Sequence, residues 1–506
     1  MALINSVISW LMKKRIHQIE LFMQYPEEVQ EELLRRLLYT ARNTEWGRQY
    51  DFKSIGGFTQ FRDRLPVREY DSMKGAIDRL RSGEQNILWP SEIKWFAKSS
   101  GTTADKSKFI PVSQEALEEC HFKGGKDMLS IYCNNHPDTK LFDGKSIAMG
   151  GSRQILEVNN ESYIQGDLSA ILIENLPAWI EFMRTPNLSI ALMDEWENKI
   201  EQMAHATMQH NVTSISGVPS WTLLLFKRIL EITGKTDLMQ VWPNFELFIH
   251  GGVSFAPYRD QFRQILPSPR VNYLETYNAS EGFFGIQDRS TADDMLLMLD
   301  YGIYYEFLPL EQLDREQPES LSLDQVELNT NYALVITTNA GLWRYLIGDT
   351  VMFTSKSPYR IRISGRTRHF INAFGEELII DNAEKAMAIA CERSHALVTE
   401  YTAAPVYMSE RGRGAHEWLI EFQRPPEDLS FFTAALDTAL KSLNSDYEAK
   451  RYHDLVLGEP VVRPVPPFTF YNWLKSKGKL GGQNKVPRLS NDRKYLDEIL
   501  SMISPG

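Results

Sequence analysis

Short apolar segments that end in glycine alternate with helical stretches along most of this chain, and that alternation constrains its fold most strongly. Residues 146–149 and 245–250 read as buried strands closed by glycines, whereas 194–207 and 221–233 carry helical spacing. Alternation of this kind requires an α/β architecture, with helices covering a largely buried sheet. Residues 15–40 read as one helix, with Ile16, Ile19, Leu33, Leu34 and Leu37 on its apolar face. From 326 to 354 the pattern becomes β. Tyr332 to Thr338 and Leu342 to Phe353 flank the turn Asn339-Ala340-Gly341, as in a hairpin or part of a small barrel. The polar stretch Thr354-Ser355-Lys356-Ser357-Pro358 then reads as a domain junction, and helix–strand alternation resumes near 381–394, 418–422 and 431–443. The expected fold is a large N-terminal mixed α/β domain over 1–355 with a small β-barrel-like part. A smaller mobile C-terminal α/β domain over 356–506 follows it.

Length and composition agree with that plan. At roughly 150 residues per domain, 506 residues make two to four domains. Hydrophobic residues at 43% are enough to offset chain entropy, which excludes a disordered chain. The net charge of −11 argues against non-specific nucleic-acid binding, which needs basic surface, but leaves room for one basic pocket. Cys120, Cys133 and Cys391 form no CxxC pair, so neither a disulfide framework nor a structural zinc site is expected; a reducing cytoplasm fits. The apolar run 2–12 is followed, not preceded, by Lys13, Lys14 and Arg15. That is the wrong order for a secretory signal, and the run is too short to span a bilayer. It reads as the start of a buried helix, with contact at a membrane surface as the alternative and no integral membrane association expected.

Four stretches carry residues suited to chemistry. In Ser99-Ser100-Gly101-Thr102-Thr103-Ala104-Asp105-Lys106-Ser107-Lys108, hydroxyls, a glycine and two lysines suit an oxyanion or a phosphate. It is not a Walker A loop, because the second glycine is missing, and a solvated turn with capping hydroxyls is the alternative. In Glu275-Thr276-Tyr277-Asn278-Ala279-Ser280-Glu281-Gly282, Glu281 lies among small residues and could hold Mg²⁺ beside a triphosphate, or simply face solvent. In Gly341-Leu342-Trp343-Arg344-Tyr345-Leu346-Ile347-Gly348-Asp349, Asp349 follows a glycine and is placed to accept both ribose hydroxyls, or to serve as a turn aspartate. The tail from Tyr471 to Arg488 contains Lys475, Lys477, Lys479, Lys485 and Arg488 with no acid. It reads as a mobile arm bringing a lysine to an anion, or as a solvated loop. Two decoys are set aside. His250-Gly251-Gly252-Val253-Ser254-Phe255-Ala256 overlaps two hydrolase motifs that lie far apart in hydrolases, and its last glycine is replaced by Ala256. His205 and His210 are five apart, on different helix faces.

The order of these stretches resembles adenylate-forming enzymes, which include acyl-CoA synthetases, peptide-synthetase adenylation domains and luciferase. More closely, the chain resembles the Gretchen Hagen family of acyl-acid amido synthetases over residues 95–490. The carriers are Ser99-Ser100-Gly101-Thr102 with Lys108 and Pro111; Tyr277-x-x-Ser280-Glu281-x-Phe283-Phe284-Gly285; Tyr304-x-Glu306-Phe307-Leu308-Pro309; Gly341-Leu342-x-Arg344-Tyr345-x-x-Gly348-Asp349; and Gly482-Gln483-x-Lys485-x-Pro487-Arg488. Leu346 stands where plant members tend to have Arg, and Asn484 where an aromatic is usual. The stretch Ser364-Gly365-Arg366 to Glu377 looks more like the hinge of the wider superfamily.

That resemblance implies a two-step ligase using ATP and Mg²⁺. A small carboxylic acid attacks the α-phosphate to give an acyl-adenylate and pyrophosphate. An amine, an amino acid being the expected one, then takes the acyl group and releases AMP. By the same resemblance Ser99, Ser100, Gly101, Thr102, Thr103 and Lys108 hold the phosphates. Gly251, Gly252, Val253, Thr276, Tyr277, Asn278, Ala279, Ser280 and Tyr304 line the nucleotide, with Arg366 in the same set. Asp349 fixes the ribose, Glu281 binds the metal, and Lys485 bridges the α-phosphate and the carboxylate. The acyl pocket is expected between the helix near 113–130, the Ser152-Arg153 turn and 214–221. No thioester on the protein is expected. The alternatives are an acyl-CoA ligase or another adenylate-forming ligase, and, in a different class, a non-catalytic nucleotide-binding protein.

Overall fold

The computed structural model describes residues 15–503, except 100–107, 159–160, 194, 253–254, 256–257, 291, 314, 316, 368–369, 372–375, 377, 407–413, 445–446, 449–450, 452–456, 480–484 and 491. The chain forms two compact units: Met1–Gly252 with Ile265–Arg362, and Val253–Gln264 with Ile363–Gly506.

The first unit is built on fifteen strands: β1 (Trp95–Ser99), β2 (Lys108–Val112), β3 (Lys145–Ala148), β4 (Arg153–Val158), β5 (Glu161–Gly166), β6 (Arg184–Thr185), β7 (Val212–Gly217), β8 (Leu247–Gly251), β9 (Asn272–Ala279), β10 (Gly282–Ile286), β11 (Met295–Leu297), β12 (Ile303–Pro309), β13 (Asn331–Thr338), β14 (Tyr345–Lys356) and β15 (Tyr359–Arg366). Eleven of them make one sheet in the order β12-β13-β14-β15-β11-β10-β9-β8-β7-β3-β6, and β2-β1-β5-β4 make a second. The β6-β3-β7-β8-β9 arm is parallel, as expected for strands buried on both faces between crossover helices. Helices Trp196–Thr207 and Pro219–Thr233 lie in those crossovers.

From β9 onward the sheet turns antiparallel and rolls up. Strands β12 and β10 are five places apart in the order, about 24 Å in a flat sheet at about 4.8 Å per strand. Yet the rings of Tyr305 on β12 and Phe284 on β10 have centroids 6.3 Å apart. A Cβ on Gly282 would lie 2.5 Å from Ile303 Cδ1. The strands around 326–354 therefore belong to a small barrel, filled by Phe284, Tyr305, Phe307 and Phe353. Its edge strand β12 is covered. The buried Gln30 side chain donates to Leu299 O and Ile303 O and accepts from Tyr305 N. Those bonds occupy backbone groups that an open edge would offer to another chain.

The stretch 15–40 forms two helices, Ile16–Gln24 and Pro26–Ala41, rather than one. Pro26 has no N–H to continue the first helix and is favoured at the first position of the next. Arg15 turns inward: its guanidinium bonds Asp127 at 2.8 and 2.9 Å and Asp300 at 2.8 Å. The polar stretch 354–358 is the turn between β14 and β15, neighbours in the sheet. The division between compact units falls just beyond it, between Arg362 and Ile363. Polarity and proline mark a tight turn as readily as a linker.

The second unit has β16 (Phe370–Ile371) paired with β17 (Leu378–Ile379), and a sheet of β18 (Leu397–Val406), β19 (Ala415–Arg424) and β20 (Val461–Val465). Alternation along β18 and β19 separates two cores. Ala403, Trp418 and Ile420 pack with residues of helices Ile380–Ser394 and Leu429–Leu443. Ala404 and Leu419 pack with residues of Thr469–Ser476 and Lys494–Ile503. This is the α/β layering the sequence pattern predicts.

One buried ion pair secures the third motif. Arg344 adopts φ 48° and is 2% exposed; its guanidinium lies 2.9 Å from the fully buried Glu306 and bonds Ser320 Oγ and the Arg62 carbonyl. Removing one partner of such a pair leaves an uncompensated buried charge. Glu306→Gln is therefore expected to cost about 3–5 kcal/mol, read as a fall in the urea unfolding midpoint. An unchanged midpoint would contradict this role.

Candidate nucleotide and acyl site

In the parallel arm the chain runs from β3 outward to β6, then back across β3 to β7. Ligands of open α/β sheets bind outside the carboxyl ends of the strands, at such a reversal of strand order. The register places those ends together: Ala148 pairs with Ser216, Gly217 with His250, and Gly251 with Thr276. The residues expected to line the nucleotide extend this edge.

Gly251 has to be glycine. A Cβ there would lie 2.5 Å from Thr276 O and 3.2 Å from Asn278 Oδ1. Gly252 follows with φ 81°, in the left-handed region where glycine carries no steric penalty. On the paired strand Thr276 Oγ1 donates to His250 O at 3.3 Å. Tyr277 Oη donates to Asp349 Oδ2 at 2.9 Å, and both residues are buried. Asn278 is exposed, Ala279 ends β9, and Ser280 is buried in the turn into β10. Glu281 is half-buried, and its carboxylate interacts with the Tyr345 hydroxyl. Burial first, and Glu281 second, push the Tyr345 phenol well above its ordinary pKa, so it stays neutral.

The structure thus brings Gly251, Thr276, Tyr277, Asn278 and Asp349 together, with Glu281 in the adjoining turn. Tyr304 lies on β12, with its ring centroid 6.2 Å from those of Phe58 and Phe61. The hydroxyl-rich stretch is the connection of the β1–β2 hairpin, where Ser99 pairs with Lys108. Lys108 Nζ lies 5.9 Å from the centroid of the Tyr70 ring, and Tyr70 Oη accepts from Phe109 N. Ser100, Gly101, Thr102, Thr103 and Val253 lie outside the described residues, and Ser99 and Arg366 are described by their backbone.

Sequence reasoning missed the device that shapes the neighbouring turn. After β3 the chain makes the turn Gly150-Gly151-Ser152. The fully buried Lys199 donates from Nζ to Gly150 O at 2.5 Å, Gly151 O at 3.2 Å and Met193 O at 3.2 Å. Ser152 N donates to Asp167 Oδ2 at 2.8 Å, and Gly151 N to Ser169 Oγ. Burial raises the Asp167 pKa. A lysine in an amphipathic helix carries no sequence sign that it will be buried, so nothing pointed to it.

Lys485, in the second unit, is half-buried. Val486 enters the core with Phe470 and Trp473, and Leu489 the core with Tyr401 and Trp418, so the chain beyond the lysine is fixed on both sides. Cys120 and Cys391 carry thiols that burial pushes up to about 12, and Cys133 is fully buried. Cys120 and Cys391 are therefore protonated at neutral pH. Among the described residues no cluster of His, Cys, Asp or Glu could hold a resident metal, and no helix is long and apolar enough to cross a membrane.

Residues 15–271 match the GH3 family N-terminal domain, 296–366 its central domain and 381–494 its C-terminal domain. The chain belongs to the GH3 family. Indole-3-acetic acid-amido synthetase GH3.3 of Arabidopsis thaliana is 24% identical over 94% of this chain and 91% of its own length. The solved structure of GH3.15 acyl acid amido synthetase superposes with a TM-score of 0.79 at 18% identity, covering 98% of this chain and 97% of that one. A 2-hydroxyisobutyryl-CoA ligase in the postadenylation state shares the fold more distantly, with a TM-score of 0.58 at 13% identity over 93% and 91% of the two chains.

Because Gly251 abuts the backbone of its neighbouring strand, Gly251→Ala is expected to destabilise the β8–β9 edge by about 1–3 kcal/mol. A lower Tm, with faster amide exchange at 274–278, would register it. An unchanged Tm would show that the edge relaxes around a methyl group.

Proposed function

We propose that this GH3-family chain is an ATP-dependent acyl-acid amido synthetase that activates a small carboxylic acid as its adenylate and transfers the acyl group to an amine, an amino acid in the first instance. The observation that carries the reading is the Tyr277–Asp349 hydrogen bond beside Gly251 and Gly252. It holds a carboxylate at the carboxyl edge of a parallel sheet, where a ribose can meet it while the purine lies along the glycine backbone. Membership of a family with amido synthetases among its members supports the acceptor class.

In the first step a carboxylate oxygen of the acid bonds to the α-phosphorus and the P–O bond to pyrophosphate breaks. Lys485 supplies positive charge to the crowded α-phosphate as negative charge builds there. The β1–β2 connection, with Lys108 at its foot, receives the departing pyrophosphate. In the second step the amine attacks the acyl carbon, loses a proton, and AMP leaves with the bridging oxygen. Magnesium usually keeps several waters and binds through one or two carboxylates plus substrate phosphates. A single half-buried carboxylate at Glu281 fits that mode of binding. When bound, the ion would neutralise phosphate charge, with Glu281 as its protein ligand. The acyl group lies over the Gly150–Ser152 turn held by Lys199. The two-domain plan assigns the nucleotide and acyl residues to the larger domain, and Lys485 to a smaller one that moves between the two steps. A cytoplasmic location belongs to the same reading.

ATP–pyrophosphate exchange, run against a panel of aryl and aliphatic acids, tests this directly. Acid-dependent exchange that collapses in Lys485→Ala is expected. ATP binding without exchange for any acid would contradict it. In the same assay Tyr277→Phe, which frees Asp349 of its anchor, is expected to weaken ATP binding roughly 3- to 10-fold, the value of about one hydrogen bond. Glu281→Gln is expected to raise the Mg²⁺ concentration needed for half-maximal exchange.

A further inference from the structure

We propose that Arg488 is a positioning residue for Lys485: it fixes the backbone just beyond the lysine and so determines where the ammonium group can reach. The inference rests on the acyl-adenylate reading above. Arg488 is 8% exposed, and its guanidinium is held from three sides. Nε lies 3.1 Å from Glu384 of helix Ile380–Ser394. One terminal nitrogen pairs with Glu400 and donates to Tyr401 O at 3.3 Å, both on β18. The other donates to Tyr258 Oη at 3.0 Å, and the guanidinium stacks 4.5 Å from the Tyr401 ring centroid. Only the planar five-donor fork of arginine can serve so many acceptors at once.

The backbone is fixed as firmly. Arg488 O accepts from Ala403 N at 2.9 Å, Ser490 N donates to Ala403 O at 3.0 Å, and Thr402 Oγ1 donates to Pro487 O at 2.5 Å. Val486 and Leu489 enter opposite cores of the unit. Lys485 is joined directly to this anchored segment, so the base of its four-carbon stem is set by residues 486–490.

Glu384 and Glu400 oppose the single guanidinium, and burial raises the Glu384 pKa. Removing the arginine would leave two carboxylates repelling one another beside β18, which moves residues 486–490 and the lysine with them. Tyr258 belongs to the second unit by packing, yet lies six residues beyond Gly252 in the chain.

Lys485 acts on the α-phosphate and not on the amine, so a residue acting through it should affect adenylation alone. The test compares wild type, Lys485→Ala, Arg488→Met and Tyr258→Phe in ATP–pyrophosphate exchange, in ATP binding, and in aminolysis of added synthetic acyl-adenylate. Arg488→Met is expected to slow exchange roughly 100-fold, the effect of a misplacement of about 1 Å, with ATP affinity and aminolysis unchanged. Placed in the Lys485→Ala background it should cause no further loss in exchange. Tyr258→Phe, which keeps the ion pairs and the fold, should show a smaller loss confined to exchange. If Arg488→Met fails to fold, Tyr258→Phe decides. Equal loss of exchange and aminolysis, or wild-type exchange in the folded variants, would overturn the inference while leaving the adenylation reading intact. No exchange in the wild type would overturn both.

Discussion

A hydrogen bond between Tyr277 and Asp349 is possible only because the antiparallel part of the sheet rolls into a barrel. In the sheet order β9 and β14 are four places apart, about 19 Å if flat. At 2.9 Å the two side chains measure how far the strands have closed. Everything proposed for the nucleotide depends on that closure. It carries the carboxylate of the third motif to the carboxyl edge of the parallel arm, where Gly251 packs against the backbone of β9. The closure in turn depends on small residues at crowded points, such as Gly282 against Ile303, and on the Arg344–Glu306 pair at the start of β14.

Buried cations recur as fasteners. Arg15 joins the first described helix to Asp127 and Asp300, Arg344 pairs with Glu306 on β12, Lys199 holds three carbonyls around the Gly150–Ser152 turn, and Arg488 ties the segment after Lys485 to β18. Each fixes a loop or a strand end that apolar packing would leave free to slide. Buried pairs of this kind are weak sources of net stability, but they specify geometry, and geometry is what a two-step transfer needs.

Much of this was legible in the residues. Apolar runs ending in glycine located β3 and β8 to within a residue or two, and helical spacing found Pro219–Thr233 and Ile380–Ser394. Motif order pointed to Thr276 and Tyr277, which lie beside Gly251, and to Asp349, which Tyr277 bonds. Other features were hidden for physical reasons. A proline splits the first helix without disturbing its apolar spacing, so 15–40 read as continuous. The turn at 357–358 shares its composition with a linker, so composition alone does not separate the two. The packing of Val253–Gln264 into the second unit is non-local, and no linear pattern encodes it. Arg344 and Arg488 stood inside recognised motifs, but their architectural roles emerge only from their partners.

In adenylation the acid's own oxygen attacks the α-phosphate. Turnover of an ¹⁸O-labelled carboxylic acid with ATP and an amino acid, followed by mass spectrometry of the nucleotide product, tests this most directly. Adenylation requires AMP carrying one labelled oxygen, in step with amide formed. Unlabelled AMP, or ADP with labelled phosphate, would contradict it.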